Sequence, residues 1–367
     1  MENLEPRIIL IAGALIVGAL YGATARLSGF CLRSALIEVV EGRPWRQARA
    51  WAIATFVAVL GTQILANQEM IDLGNSIYLG STLLWGGAII GGLMFGFGMM
   101  LTRGCGGRHL VLAAGGNLRS WMVLVVMGLV AYMTLRGILA VPRLAIEGLS
   151  SGDLESGGFS EMDMVSMIAD TTGLAEGALR WGLLVLLGVG VAAVTLRGLK
   201  PGDYRHIVAG LFIGLLIPVG WYLSGVVGFD DFEPTPLVSL TFITPVANSI
   251  QYLMTFTGTS ADFGIAMVGG ALAGAIAAAT LSRDLTLEGF DGAPHMARYG
   301  LGAALMGAGG VMAMGCTIGQ GLTGISTLSL GSLIAFASIV TGGRLGLGFI
   351  RRRQLAHGVP QVPSPAE

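Results

Sequence analysis

Nine apolar stretches, each close to the roughly 17 to 25 residues a helix needs to cross a bilayer, dominate this sequence. They run about Ile8–Ala25, Ala48–Ala66, Tyr78–Leu101, Trp121–Ala140, Leu179–Leu196, Ile207–Val227, Phe263–Leu281, Tyr299–Gly315 and Leu330–Gly348. In lipid every backbone N–H and C=O must be satisfied within the segment, which leaves helices as the only reading of such stretches. The fold expected is an all-α polytopic membrane protein of about nine transmembrane helices. Composition agrees, since 53% of residues are hydrophobic and 12% charged, against about a quarter charged in soluble domains. A net charge of -1 and the absence of nucleic-acid motifs argue against nucleic acid as a partner and leave membrane lipid. The start, MENLEPR, lacks the basic n-region and small-residue cleavage site of a signal peptide, so the first span is expected to be retained.

The distribution of arginine and lysine tests the span count, because cytoplasmic loops carry the excess. Alternate loops hold 16 of the 21 basic residues, in groups around Arg26–Arg49, Arg103–Arg119, Arg197–Arg205, Arg283–Arg298 and Arg351–Arg353. The opposite set holds only Arg7, Arg136, Arg143 and Arg180, and its stretches Asn67–Ile77 and Gly228–Asp262 are acidic. This pattern puts the N-terminus outside and the C-terminus in the cytoplasm, the orientation expected here for an inner-membrane protein.

A motif G-x-G-x5-G-C occurs twice, as Gly96, Gly98, Gly104, Cys105 and as Gly307, Gly309, Gly315, Cys316, at an offset of 211 residues that also lays Gly91 on Gly302. A weaker echo pairs Leu27-Ser28-Gly29 with Leu223-Ser224-Gly225 and sets Cys31 against Val227. One odd span between two sets of four makes the halves inverted in topology, as in many transporters. The expected division is a first repeat over 1–140, an outer acidic linker over 141–178, a linking span over 179–200, a second repeat over 201–350 and a basic cytoplasmic tail over 351–367. The segments Gly106–Leu118 and Thr317–Leu328 are too short to cross and are expected to be re-entrant.

The three cysteines, Cys31, Cys105 and Cys316, form no C-x-x-C and have no metal-ligand spacing, which suggests free thiols, no metal and no cofactor. A short helix opening at Gly-Cys presents bare N–H groups and a positive dipole end, which favours an anion. A thiol is a soft, weak donor suited to another sulfur. The bland alternatives are that the glycines serve packing and each buried cysteine is a small hydrophobe. Gln320, which the repeat lays opposite His109, either hydrogen-bonds an oxyanion or bridges helices, and Arg344 either snorkels or contacts an anion. His109, His206, His295 and His357 share no spacing and read as interfacial.

The segments Leu27-Ser28-Gly29-Phe30-Cys31, Arg103-Gly104-Cys105-Gly106-Gly107 and Met314-Gly315-Cys316-Thr317-Ile318-Gly319 resemble the YeeE/YedE family of bacterial sulfur-transport membrane proteins, whose best understood members are thiosulfate permeases. The likeness covers roughly Ile8–Ala140 and Leu179–Phe349. It implies an hourglass of two pseudo-symmetric halves, with re-entrant segments meeting at its waist. It also implies that thiosulfate passes by transient S–H to sulfur hydrogen bonds with Cys31, Cys105 and Cys316; beside these, the repeat motif makes Gly104, Gly315 and Gln320 candidate substrate-binding residues. Family members often work with a small cytoplasmic sulfurtransferase of the TusA type. With only a short basic tail after Phe349, such a partner is expected here as a separate protein. The long outer linker leaves selenium species open as cargo.

Three functions follow as expectations. The first is a permease for thiosulfate or a related sulfur anion, which is no enzyme and uses the thiols as stepping stones. The second keeps transport and changes the cargo to selenium species or another small anion. The third is a membrane thiol oxidoreductase or sulfurtransferase, which normally needs a resolving cysteine that the sequence does not place nearby.

Overall fold

The computed structural model describes residues 4–80, 82–153, 163–196, 203–229, 236–290 and 292–356. It is a helical bundle in which long helices alternate with short ones. The first part of the chain gives α1 (Leu4–Ser28), α2 (Leu32–Glu41), α3 (Arg46–Asn67), α4 (Trp85–Thr102), α5 (Gly106–Ala114) and α6 (Leu118–Arg136). Next come α7 (Ala140–Leu149), α8 (Met164–Thr172) and α9 (Glu176–Leu196). The last part gives α10 (Tyr204–Tyr222), α11 (Ile243–Met254), α12 (Phe263–Leu281), α13 (Ala293–Met312) and α14 (Leu330–Ala356). A two-stranded antiparallel ribbon, β1 (Thr82–Leu84) on β2 (Ser151–Asp153), ties the start of α4 to the end of α7.

Between helices in lipid there is no hydrophobic drive, so small residues that let backbones touch decide which helices pair. Here α1 lies on α12 and α3 on α10, while α4 lies on α14 and α6 on α13. The crossings of α4 with α13 and of α1 with α10 complete the frame. The glycines explain the closeness. A Cβ on Gly91 would fall 2.6 Å from the Gly309 carbonyl oxygen and one on Gly98 2.5 Å from that of Gly302. Gly96 meets the Ile339 carbonyl of α14, and its counterpart Gly307 meets the Met127 carbonyl of α6. On the other pair, Gly18 abuts Met267 and Gly210 abuts Ala50.

Among the described residues, eight helices are long and apolar enough to cross a membrane, and α1–α2 and α4–α5 each count as one of them. The chain is a multi-pass α-helical membrane protein. The expected stretch not among these eight, Tyr299–Gly315, forms most of α13, whose start carries His295 and Arg298. Packed between α4 and α6, it lies inside the bundle. The expected linker is not featureless, for it contains α7, β2 and α8, although 154–162 lie outside the described residues. Arg197, Lys200 and His357 also lie outside them, as do the last residues of the expected linking span and most of the expected tail. Helix α9 rests on α3 and α8 and turns Val185, Leu186 and Val189 outward to lipid.

The arginine-rich loops meet one another at one end of the bundle. Arg26 donates to the Asp284 carbonyl (2.9 Å), Arg119 pairs with Glu288 (2.9 Å), Arg205 reaches the Leu27 carbonyl and Arg351 pairs with Glu41 (2.6 Å). At the other end Arg7 approaches the Ala261 carbonyl, Ser76 bridges to Leu237 and Asp163 to Ser329. The two loop sets separated by charge are therefore separated in space.

Candidate functional site

Each cysteine sits at the N-cap of a short helix. Cys31 caps α2, Cys105 caps α5, and Cys316 opens a helical segment over 317–326 whose centre is the π turn Gly319–Gly324. The thiol lies toward the N–H three residues on in each case, Ser34, Arg108 and Gly319, and Cys316 accepts a hydrogen bond there whereas the Cys31 and Cys105 side chains do not close a cap bond. The Gly319 N–H to Cys316 Sγ bond measures 3.3 Å.

The two motif copies turn the chain in the same way. Helix α4 ends with Arg103 in the left-handed region (φ 66°), and α13 is followed by Met314 in the same region (φ 55°). Such a conformation in a non-glycine residue costs of order 1–3 kcal/mol and persists only where its surroundings enforce it. The next residue must be small. A Cβ on Gly104 would lie 3.2 Å from His109 Nε2, and one on Gly315 would lie 3.1 Å from Gln320 Cγ.

These turns bring the cysteines together, all three at least 97% buried. The thiols of Cys31 and Cys105 lie side by side, and the Thr317 hydroxyl faces Cys105. Cys316 receives the N–H groups of Ile318 and Phe242 besides that of Gly319, and the Thr241 hydroxyl lies against it. Phe242 is the N-cap of α11, so the starts of four short helices converge here. Each contributes a partial positive charge of about half a unit, which makes the backbone around this centre electropositive.

Tyr21 of α1 stands in the middle. Its buried hydroxyl lies within electrostatic reach of all three thiols and of the Arg108 charge, and its ring packs on Phe242 at 4.7 Å. Gly107 makes the room, since a Cβ there would come within 2.5 Å of the Tyr21 hydroxyl. Arg108 is itself buried at 8% exposure.

A cavity of about 590 Å³ opens on the arginine-poor end. Arg7, Asn248, Asp262 and Thr244 line its sides, and Met314 and Thr241 are among its walls. Thr241 thus belongs both to the vestibule and to the surroundings of Cys316.

Of the residues singled out in the sequence, Cys31, Cys105, Cys316, Gly104 and Gly315 lie in or under this cluster. Gln320 sits one turn beyond Cys316 and donates its side-chain N–H to the Ala313 carbonyl at the end of α13, which ties down that turn. His109 is not interfacial. It is buried at 3% exposure on Ser120 (3.1 Å), because α5 folds back into the bundle. His206 is half-buried against Gln47 (3.3 Å), and His295 is exposed. Arg344 is exposed on the surface of α14. The sequence echo set Cys31 opposite Val227. In the structure Val227 ends the π turn after α10, whereas Phe242 caps α11 as Cys31 caps α2. Tyr21, Thr241, Thr317 and Arg108 were not foreseen. Only Arg108, three residues after Cys105, carried a signal.

The sulphur transport family matches residues 27–345 of this chain. The thiosulfate transporter TsuA of Escherichia coli (strain K12) is 27% identical over 354 residues, which cover 91% of this chain and 92% of that protein. The thiosulfate transporter TsuA of Spirochaeta thermophila is 25% identical over 356 residues, with 91% and 97% covered. The family match spans all three cysteines and both copies of the glycine motif, and the chain belongs to the sulphur transport family.

Proposed function

We propose that this protein is a permease that brings thiosulfate, or a closely related small sulfur anion, across a bacterial inner membrane, with its N-terminus outside. It is a transporter, not an enzyme, as its relatives are. The observation that carries the reading is the gathering of three thiols and four helix starts around Tyr21 below an open vestibule. The anion enters the vestibule, meets Thr241 and Cys316, passes Tyr21, and reaches the Cys31–Cys105 pair. At each thiol a weak S–H hydrogen bond to the terminal sulfur replaces part of the hydration shell, and the weakness of each lets the ion move on.

The reading takes residues 1–140 and 201–350 as inverted repeats joined by α9. Two observations support this. The helix pairs α1–α12 and α4–α14 recur with roles exchanged as α10–α3 and α13–α6. Gly91 meets Gly309 just as Gly302 meets Gly98, the exchange a two-fold axis between α4 and α13 requires. In this frame Gly104 and Gly315 hold the turns that aim Cys105 and Cys316, and Gln320 fixes the outer one. A separate sulfurtransferase of the TusA type would collect the cargo at the arginine-rich face.

Uptake of labelled thiosulfate by a host lacking its own importers tests this, with sulfate, sulfite and a selenium oxyanion as competitors. Thiosulfate is expected to compete and sulfate to fail. Equal competition by sulfate would remove the thiols from the explanation of selectivity.

A further inference from the structure

We infer that a small second cavity, formed by Gln320, Ser332 and the end of α13, is a seat for Na+ carried inward with the anion. The inference rests on the permease reading above and adds to it a coupling ion. The cavity holds about 30 Å³, room for one ion or water. Ile77 and Met314 wall both this cavity and the vestibule, so the two are neighbours at the arginine-poor end. Gln320 (3% exposed) and Ser332 (2% exposed) line it, and Gln320 Oε1 and Ser332 Oγ have no hydrogen-bond partner among the described residues. Polar atoms orphaned at that depth are costly unless something fills the space between them. The amide cannot turn to escape, because only its N–H can donate to the Ala313 carbonyl (2.5 Å), which leaves Oε1 as the open end. Both oxygens face one place. A Cβ on Gly324 would press on Ser332 Oγ and stand 2.8 Å from Gln320 Oε1.

The surroundings favour a small hard cation. Ser329 adds a hydroxyl oxygen from the wall, its own proton being donated to the Tyr78 carbonyl (2.7 Å). Helix α13 ends here, with Met312 and Ala313 in the wall, so the partial negative charge of a helix C-terminus lies beside these oxygens. Neutral oxygens next to such a helix end are a setting in which transporters hold Na+. Among the described residues no Asp, Glu, Lys, Arg or His lines the cavity, which leaves no carboxylate or imidazole to take up a proton. The electrical balance gives the ion a purpose. Roughly 100 mV of inside-negative potential opposes entry about fiftyfold for each negative charge. A divalent anion meets that factor twice, and one Na+ carried with it cancels one of them. One turn joins the ion to the thiol, since the Gln320 N–H bonds the Cys316 carbonyl (2.8 Å) and the Gly319 N–H bonds its sulfur. An ion held between Gln320 and Ser332 therefore fixes the turn that presents Cys316.

The test measures labelled thiosulfate uptake into proteoliposomes holding the full chain, and the melting temperature of the same protein in detergent, with NaCl replaced stepwise by choline chloride. The variants are Ser332→Ala, Gly324→Ala and, as a control at an exposed hydroxyl of α14, Thr341→Ala. Wild-type uptake is expected to rise with external Na+ and saturate, and Na+ is expected to raise the melting temperature, as a ligand of the folded state does. Ser332→Ala should need about tenfold more Na+ for half-maximal uptake, the loss of one oxygen from the charge. Gly324→Ala, with its Cβ in the seat, should lose both responses, and Thr341→Ala should keep both. Wild-type uptake indifferent to Na+ overturns the inference and leaves the permease reading standing. An unshifted Na+ requirement in Ser332→Ala overturns it as well. If neither cavity variant folds, the wild-type responses alone decide. Failure to take up thiosulfate at any Na+ concentration overturns the permease reading instead, and the melting temperature then still decides whether Na+ binds.

Discussion

The crossing of α4 and α13 gives the sharpest structural test, because both helices end at a Gly-Cys turn. Consider Gly98→Ala. The new Cβ would sit 2.5 Å from the Gly302 carbonyl oxygen, where ordinary contact begins at 3.4 Å, so the two backbones must part by about 0.9 Å. Overpacking of this kind costs about 1–3 kcal/mol, while alanine returns about 0.8–1 kcal/mol of helix propensity over glycine. The control lies on the same crossing pair. Gly300 of α13 has nothing within 4 Å of its added Cβ, so Gly300→Ala keeps only the propensity gain. The two variants should therefore differ by about 1–3 kcal/mol, or several degrees in melting temperature at about 2–4 °C per kcal/mol. Gly309→Ala, whose Cβ would fall 2.5 Å from the Gly91 carbonyl, should behave as Gly98→Ala does. The double variant should cost less than the sum, because the first substitution already parts the helices. Thermal unfolding in detergent, followed by tryptophan fluorescence, reads these differences. Thiosulfate uptake should fall further than stability does, since parting the crossing moves Cys105 and Cys316 together. A Gly98→Ala protein that melts no lower than Gly300→Ala would refute the close approach.

Met314→Gly should raise stability by about 0.5 kcal/mol, as relief of the left-handed conformation outweighs the added freedom of the unfolded chain; a lower melting temperature would contradict it. Asp203→Asn strips the carboxylate from the buried pair with Arg49, side chains 4% and 7% exposed, and should cost about 3–5 kcal/mol, seen as loss of folded protein on size exclusion. Cys31→Ala should reduce uptake as severely as Cys105→Ala, because the two thiols lie side by side; near-normal uptake in Cys31→Ala alone would show that the pair does not act together.

The legible part of this fold was carried by local pattern. Apolar runs near 20 residues fixed the long helices, and the Gly96, Gly98, Gly104, Cys105 spacing pointed to its own partner at Gly307 to Cys316. The short helices α2 and α11 escaped, since 10 and 12 residues are too few for a span, and their surroundings read as basic or acidic loops. The partner of Cys31 escaped for a different reason. Its contact with Cys105 joins two short helices with α3 and α4 between them in the chain, and no local spacing encodes it. Tyr21 looked like one more apolar position in α1, and its role depends on Gly107, which no pattern linked to it. Arg108 was counted with its loop because charge is read by position along the chain, whereas its burial follows from α5 turning back.

Uptake of labelled thiosulfate into proteoliposomes by the Cys105→Ala, Cys316→Ala double variant, compared with the wild type at equal amounts of folded protein, bears on the central claim most directly. The account predicts uptake at the level of empty vesicles, with Gly300→Ala protein transporting normally in parallel. Wild-type rates in the double variant would show that the anion does not travel past the thiols.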